Sequence, residues 1–276
     1  MNTLPRRLLG SLTFMVGAGL LLAMLLMAVL GPWLYPQGPW TVVGAPMTWP
    51  GADAARPLGT DALGRDILAG LLHGARVSLL IGAAATAMAL CVGIVVGTLA
   101  GYFGGWVDDL LMRLTDAVQT VPPFLLAIVV VLIVNPTVAS IVAAIALISW
   151  PTVARLVRAE FMRLREADFV SACRLMGMAP ARIIFVQMLP NAIPPIVVSS
   201  SIMVASAILI ESGLAFLGLG DPNVISWGTM VGLGRSDLRA GWYLVVIPGL
   251  AIMLAVLALN LLGDGLNDAL NTRLSP

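Results

Sequence analysis

The stretch DFVSACRLMGMAPARIIFVQMLPN, residues 168–191, separates two long apolar segments of a 276-residue chain. Its first half has apolar residues at spacings of three, four and seven, which predict one narrow apolar face of a short helix. These residues are Phe169, Ala172, Cys173 and Met176. One interpretation of this periodicity is an amphipathic connector that rests on lipid headgroups.

The second half of the stretch carries helix-boundary residues. Gly177 suits the position just after a helix end, and Pro180 suits the first turn of a following helix. We expect the second helix to cover about 180–188 and to end before Pro190. The sequence therefore predicts two short helices, joined by a glycine bend and lying across the inner surface of a membrane.

The composition is that of a membrane protein. Of all residues, 59% are hydrophobic and 11% are charged, whereas soluble domains have about 25% charged residues. The net charge of +1 does not suggest nucleic-acid binding. Cys91 and Cys173 do not suggest a disulfide framework, and His73, the only histidine, cannot form a histidine-based metal site. No metal or cofactor is expected.

Six segments are long and apolar enough, or nearly so, to cross a bilayer about 30 Å thick. No charge occurs between Arg7 and Asp53, so the first segment exceeds a signal-peptide core and is predicted to be a retained span. Asn135-Pro136-Thr137 is a turn signal that separates the third span from the fourth. The predicted spans are 9–35, 77–101, 117–134, 137–154, 192–217 and 242–262.

Two features inside the spans concern helix packing. Small residues spaced by four let helices approach closely, and the second span has Gly82, Gly93, Gly97 and Gly101. Pro122-Pro123 predicts a kink in the third span, which either serves packing or lines a solute path.

The arginines predict the orientation, because cytoplasmic segments are enriched in positive charge. With the amino terminus inside, ten of the fifteen arginines lie on inner segments and five on outer ones. Both termini and the loop 155–191 are therefore predicted to be cytoplasmic.

Two polar groups outside that loop could have functions. Glu211 is the one ionisable residue well inside a span, and intramembrane carboxylates are often functional. It either braces its helix or lines a pathway or gate. The loop GTDALGRD, residues 59–66, offers too few oxygen ligands for calcium, so we expect a loop braced by Asp61, Arg65 and Asp66.

The opening stretch resembles the signature loop of bacterial ABC importer membrane subunits. That motif reads Glu-Ala-Ala, three residues, Gly, nine residues, Ile, one residue, Leu-Pro. This sequence keeps every spacing and has Ser for Glu, Cys for the second Ala and Gln for Ile. The resemblance implies a coupling helix that docks into an ATPase subunit. The implied docking residues are Ser171, Ala172, Cys173, Gly177, Leu189 and Pro190.

Three further stretches, 57–82, 211–230 and 260–274, resemble the dipeptide/oligopeptide/nickel branch of that family. The resemblance implies the second (C-type) permease of a type I importer: an all-α fold of six spans with a cytoplasmic coupling loop between spans 4 and 5. It divides the chain into two parts. Residues 1–74 form a span plus an extracytoplasmic segment, and residues 75–276 form a five-span core. It also implies a bacterial inner-membrane location, a second permease subunit, two ATPase subunits and an extracytoplasmic binding protein.

Two classes of function are compatible with these features. A P-loop needs a lysine, and the chain contains none, so an ATP-driven importer would need separate ATPase subunits. A self-contained channel or secondary transporter is the alternative, but a proton-coupled one would be expected to carry several buried acids or histidines. Peptides are the expected solute, with nickel, glutathione-like compounds and glycosides as alternatives.

Overall fold

The computed structural model describes residue 8 and residues 10–270, and its apolar segments are helical. Among the described residues, five helices are long and apolar enough to cross a membrane, and a bent helix pair, counted as one span, brings the total to six. The predicted all-α membrane fold is confirmed. The helices are α1 (Leu12–Leu34), α2 (Ile67–Phe103), α3 (Gly105–Thr120), α4 (Pro123–Val134), α5 (Val138–Arg165), α6 (Asp168–Leu175), α7 (Pro180–Phe216), α8 (Trp227–Gly234) and α9 (Tyr243–Leu270).

Helices α2 and α5 are longer than the spans predicted for them. Asp66 caps α2, accepting a 2.8 Å hydrogen bond from the Leu68 amide, so the predicted domain boundary after residue 74 lies inside this helix. The cap of α5 is Thr137, which forms a capping box with Ser140. Hydropathy identifies the part of a helix that suits lipid, but these helices continue beyond it.

The predicted third span, 117–134, is not one helix. Helix α3 ends at Thr120, α4 begins at Pro123, and the two are bent by 82°. Val121 and Pro122 are extended, with ψ of 133° and 125°, because a residue before proline avoids the helical region. Pro122-Pro123 therefore breaks the chain into two helices rather than kinking one.

The predicted close approach of helices at the glycines of α2 is confirmed. A Cβ on Gly97 would lie 2.4 Å from the Ala154 carbonyl oxygen of α5. A Cβ on Gly82 would lie 2.8 Å from Ile208 of α7. Because these glycines leave no room for a side chain, α2 packs directly against both α5 and α7.

The segment between α1 and α2 is folded against α9. Thr60 is fully buried; its hydroxyl accepts from the Thr48 amide at 2.9 Å and donates to the Ala45 carbonyl at 2.6 Å. The hydroxyl of Tyr243, at the start of α9, lies 3.1 Å from the Thr48 carbonyl oxygen. These bonds fix the segment to the helical bundle.

The loop 59–66 is braced by its carboxylates, as predicted. Asp61 accepts from the amides of Leu63 and Arg65 at 2.9 and 2.8 Å, while Asp66 caps α2. The Arg65 guanidinium lies 4.8 Å from the ring centroid of Trp40. Within the described part of the chain, no three His, Cys, Asp or Glu side chains are grouped so as to hold a metal.

Candidate coupling site

The glycine bend predicted in the loop 155–191 is present and has a defined geometry. The amide of Gly177 donates to the Arg174 carbonyl at 3.0 Å, and the amide of Met178 donates to the Cys173 carbonyl at 3.1 Å. This pair of bonds is the Schellman motif that ends helices. Gly177 has φ of +72°, and a Cβ built there would meet nothing within 4 Å. The position requires glycine for its backbone conformation and not for space.

The second helix of the loop does not end before Pro190, so that prediction is wrong. The helix begins at Pro180, passes through a π-helical turn at Ile183–Met188 and continues to Phe216 as α7. In the π turn, the amide of Leu189 donates to the Ile184 carbonyl, five residues back. The wider turn directly before Pro190 lets the chain accommodate a residue that cannot donate an amide hydrogen bond.

Helix α6 packs by a face different from the predicted one. Val170 is fully buried and Cys173 is 6% exposed, in a cluster that also contains Phe161 of α5 and Met188. Met176, by contrast, is 67% exposed. The inward face of α6 is therefore Val170 and Cys173, and most of the predicted apolar face is left on the surface.

The residues implied to dock thus divide into two groups. Cys173 is buried and Leu189 is half-buried, so they support the loop from within. The exposed ones are Ser171, Ala172, Gly177 and Pro190. They share the surface with Leu175, which is 90% exposed, so this turn presents an uncovered apolar group.

Helix α6 also contacts the end of α2. The guanidinium of Arg174 lies 5.7 Å from the ring centroid of Tyr102, within reach of a cation–π interaction. Together with the cluster of Val170 and Cys173, this contact joins α6 to α2, α5 and α7.

Glu211 lies outside this loop, near the far end of α7. Its side chain is 1% exposed, and it accepts a 2.6 Å hydrogen bond from the Ser226 hydroxyl. Ser226 is the N-cap of α8, and its hydroxyl accepts from the Thr229 amide at 3.0 Å. The carboxyl group of Glu211 thus lies beside the N-terminus of α8.

Sequence reasoning missed how firmly α8 is held. The amide of Trp227 donates to the Ser78 hydroxyl at 3.1 Å, and its indole donates to the Leu71 carbonyl at 2.9 Å. A Cβ on Gly228 would lie 2.5 Å from Ser212 of α7. The available signal was Ser226, a residue type favoured at helix N-caps, directly before the helix.

This architecture resembles that of a solved ABC transporter. A structure of the MetNI methionine ABC transporter, in an inward-facing conformation, matches with a TM-score of 0.60 and 17% sequence identity. The match covers 74% of this chain and 97% of that chain. At this identity the likeness establishes the fold.

The family is established by sequence. Residues 93–276 match the family described as binding-protein-dependent transport system inner membrane component. Residues 6–53 match the N-terminal transmembrane domain of oligopeptide transport permease C. The chain belongs to the family of inner membrane components of binding-protein-dependent transport systems.

Individual relatives match over most of their length. The di/tripeptide transport system permease protein DppC of Pseudomonas aeruginosa is 42% identical over 272 residues, covering 96% of this chain and 88% of the relative. The dipeptide transport system permease protein DppC of Haemophilus influenzae is 37% identical, and the match covers 94% of this chain and 90% of the relative. The glutathione transport system permease protein GsiD of Pectobacterium atrosepticum is 41% identical, and the match covers 81% of this chain and 75% of the relative.

Proposed function

We propose that this chain forms, with a second permease subunit, the path by which peptides cross the bacterial inner membrane in an ATP-driven importer. The observation that carries the proposal is the near full-length similarity to permeases named for di/tripeptide and dipeptide transport. A glutathione permease is also similar, so glutathione-like peptides are the second candidate, and nickel and other small solutes follow. Family membership sets aside the self-contained channel and the secondary transporter.

ATP hydrolysis belongs to partner subunits in this proposal. The chain has no lysine and therefore no P-loop lysine to contact phosphates. Two cytoplasmic ATPase subunits supply the energy, and an extracytoplasmic binding protein delivers the solute. The chain itself is not an enzyme and alternates between packings that open to either side.

The ATPase docks, in this proposal, on the exposed side of the coupling loop. Support comes from the uncovered Leu175 and Met176, from the fixed bend at Gly177 and from the contacts that join α6 to three helices. An apolar surface of this kind, beside exposed arginines, is typical of a site covered by another protein. Ser171 and Ala172 lie on the docking side, whereas Cys173 and Leu189 position it.

The proposed orientation places both termini and the loop 155–191 in the cytoplasm, on the basis of the ten-to-five arginine asymmetry. The division into an N-terminal part, 1–74, and a permease core, 75–276, remains part of the proposal. The segment between α1 and α2 then faces the extracytoplasmic side, where the binding protein arrives.

Glu211, in our proposal, braces α7 against α8 and does not line the pathway. Its burial and its short bond to Ser226 support this role. The carboxylate would then fix the position of α8 near the outer end of the bundle.

The solute and the energy source can be tested together. The complex that co-purifies with the tagged chain from native membranes is identified, reconstituted into vesicles and supplied with its binding protein. We expect ATP-dependent uptake of labelled di- and tripeptides and none when ATP is omitted. Uptake of glutathione or nickel, but not of peptides, would show that the proposed solute is wrong. Uptake by the chain alone would contradict the importer assignment.

A further inference from the structure

Helix α3 has its apolar and polar residues on opposite sides of its axis. At 3.6 residues per turn the two sets form two separate stripes along the helix. Met112 is the exception, an apolar residue that lies on the polar side. The apolar stripe contains Trp106, Val107, Leu110, Leu111, Leu114, Ala117 and Val118. The polar stripe contains Asp108, Asp109, Arg113, Asp116, Gln119 and Thr120.

The bundle contacts α3 along the boundary between these stripes. Thr115 is fully buried, and it lies between the two sets on the helix surface. The outward part of the apolar stripe is uncovered, since Trp106 is 76% exposed and Leu110 is 59% exposed. One side of α3 therefore needs an apolar environment that the described residues of this chain do not provide.

The direction of α3 differs from that of the spans. It is bent by 82° from α4, which packs on α5 through Ala127 and Val131. Helix α4 has 12 residues, so it is about 18 Å long, which is less than the hydrocarbon thickness of about 30 Å. If α4 runs across the membrane, α3 runs nearly in the membrane plane.

Two ion pairs fix the depth at which α3 lies on α5. Arg155 contacts Asp116 at 2.6 Å, and Arg158 binds both carboxylate oxygens of Asp108 at 2.5 Å. Along α5, these arginines lie about 26 and 30 Å from Val138, which starts the helix. The larger of these two distances, about 30 Å, equals the thickness of the hydrocarbon core.

The same pairs show that α3 stays near one depth. Asp108 and Asp116 are separated by about 12 Å along α3, but their partners are separated by only about 4.5 Å along α5. A helix that crossed the membrane beside α5 would advance equally along both axes. Helix α3 instead crosses α5 obliquely at the level of the two arginines.

We propose that α3 is an interfacial helix, embedded in the bilayer surface at the end that carries the coupling loop. Its apolar stripe contacts lipid acyl chains, and its polar stripe faces water and pairs with Arg155 and Arg158. Trp106 suits the interface, where tryptophan is enriched. The helix thereby ties α5, which leads directly into the coupling loop, to one leaflet. Under the proposed orientation this is the inner leaflet.

Site-directed spin labelling tests this placement. Cysteines replace Leu110 and Leu114 on the apolar stripe, with Asp109 and Arg113 on the polar stripe as matched controls, because neither control residue takes part in the ion pairs. The background carries Cys91→Ser and keeps Cys173, which is buried and therefore poorly accessible to the label, and the assembled complex is studied in lipid vesicles. Collision rates are measured with oxygen, which concentrates in lipid, and with a water-soluble nickel chelate.

We expect the ratio of oxygen to nickel collisions to be several-fold higher at Leu110 and Leu114 than at Asp109 and Arg113. A high ratio at all four positions would mean that α3 crosses the membrane, and would overturn the proposal. Low collision rates with both reagents at Leu110 and Leu114 would mean that a partner subunit covers the stripe, which would overturn it too. The ratio reports depth from either side, so it tests the placement independently of the proposed orientation. ATP-dependent uptake by each labelled complex verifies that it is assembled.

Discussion

The Ser226 hydroxyl donates a 2.6 Å hydrogen bond to the Glu211 carboxylate, which joins α7 to the first turn of α8. The same hydroxyl accepts from the Thr229 amide, so one serine caps α8 and satisfies a buried acid. Both groups are almost fully buried. The Glu211 carboxylate thus has a structural partner inside its own chain.

This relationship predicts different outcomes for two substitutions of Glu211. Glu211→Gln should keep uptake within a few-fold, because the amide oxygen still accepts from Ser226. Glu211→Ala should destabilise the chain by about 1–3 kcal/mol, since a buried hydroxyl loses its partner. Thermal unfolding and peptide uptake of the purified complex measure both.

Ser226→Ala removes the other partner of this hydrogen bond. Like Glu211→Ala, it should destabilise the chain, because α8 also loses its cap. Complete loss of transport in a stable, fully assembled Glu211→Gln complex would favour the pathway role.

A second prediction concerns the contact of α2 with α5. Gly97→Ala should destabilise the chain by about 1–3 kcal/mol, because its methyl group would overlap the Ala154 carbonyl and force the helices apart. Gly249→Ala in α9 is the matched control, since a Cβ there meets nothing within 4 Å. We expect a lower midpoint of thermal unfolding only for Gly97→Ala. Equal midpoints would contradict the assigned close packing of α2 on α5.

The features that sequence predicted are those encoded locally. Gly177 and Pro180 define the loop bend, and Gly82 and Gly97 define helix contacts, because glycine and proline restrict the backbone or the space at their own positions. The bond from Ser226 to Glu211 joins residues from two elements whose relative placement depends on tertiary packing. No local pattern could specify it.

The errors in the predicted boundaries have related causes. Hydropathy assigns residues 117–120 to a span because it does not record direction, whereas Pro122 ends the helix and turns the chain. Pro190 was expected to end a helix, but a π turn before it accommodates the missing donor. Both outcomes concern the local backbone around a proline, which hydropathy does not record.

The third prediction tests the orientation. Ser171→Cys, in a chain lacking its native cysteines, should resist an impermeant thiol reagent in intact cells and react in inside-out vesicles from which the ATPase subunits have been removed. Ala52→Cys, an exposed position between α1 and α2, should behave in the opposite way. Labelling of Ser171→Cys from outside intact cells would reverse the proposed topology.

The fourth prediction concerns Gly177, where the backbone conformation, and not a lack of space, favours glycine. A β-branched residue is strongly disfavoured at φ of +72°, so Gly177→Val should distort the bend while the spans still insert, because insertion depends on the apolar segments. We expect a chain that reaches the membrane at a normal level, retains its ATPase partner poorly and loses uptake. Its ATP hydrolysis should no longer respond to loaded binding protein.

Two further variants separate docking from general damage to the loop. Gly177→Asn should keep most of the activity, because asparagine tolerates the left-handed conformation. Ala179→Val should also be tolerated, since Ala179 is exposed and extended, with φ of −61° and ψ of 140°. If the loop merely rested on lipid, Gly177→Val would be harmless, and charges placed at Phe169 and Met176 would be damaging. Full partner binding and full transport by Gly177→Val would require abandoning the docking assignment of this loop.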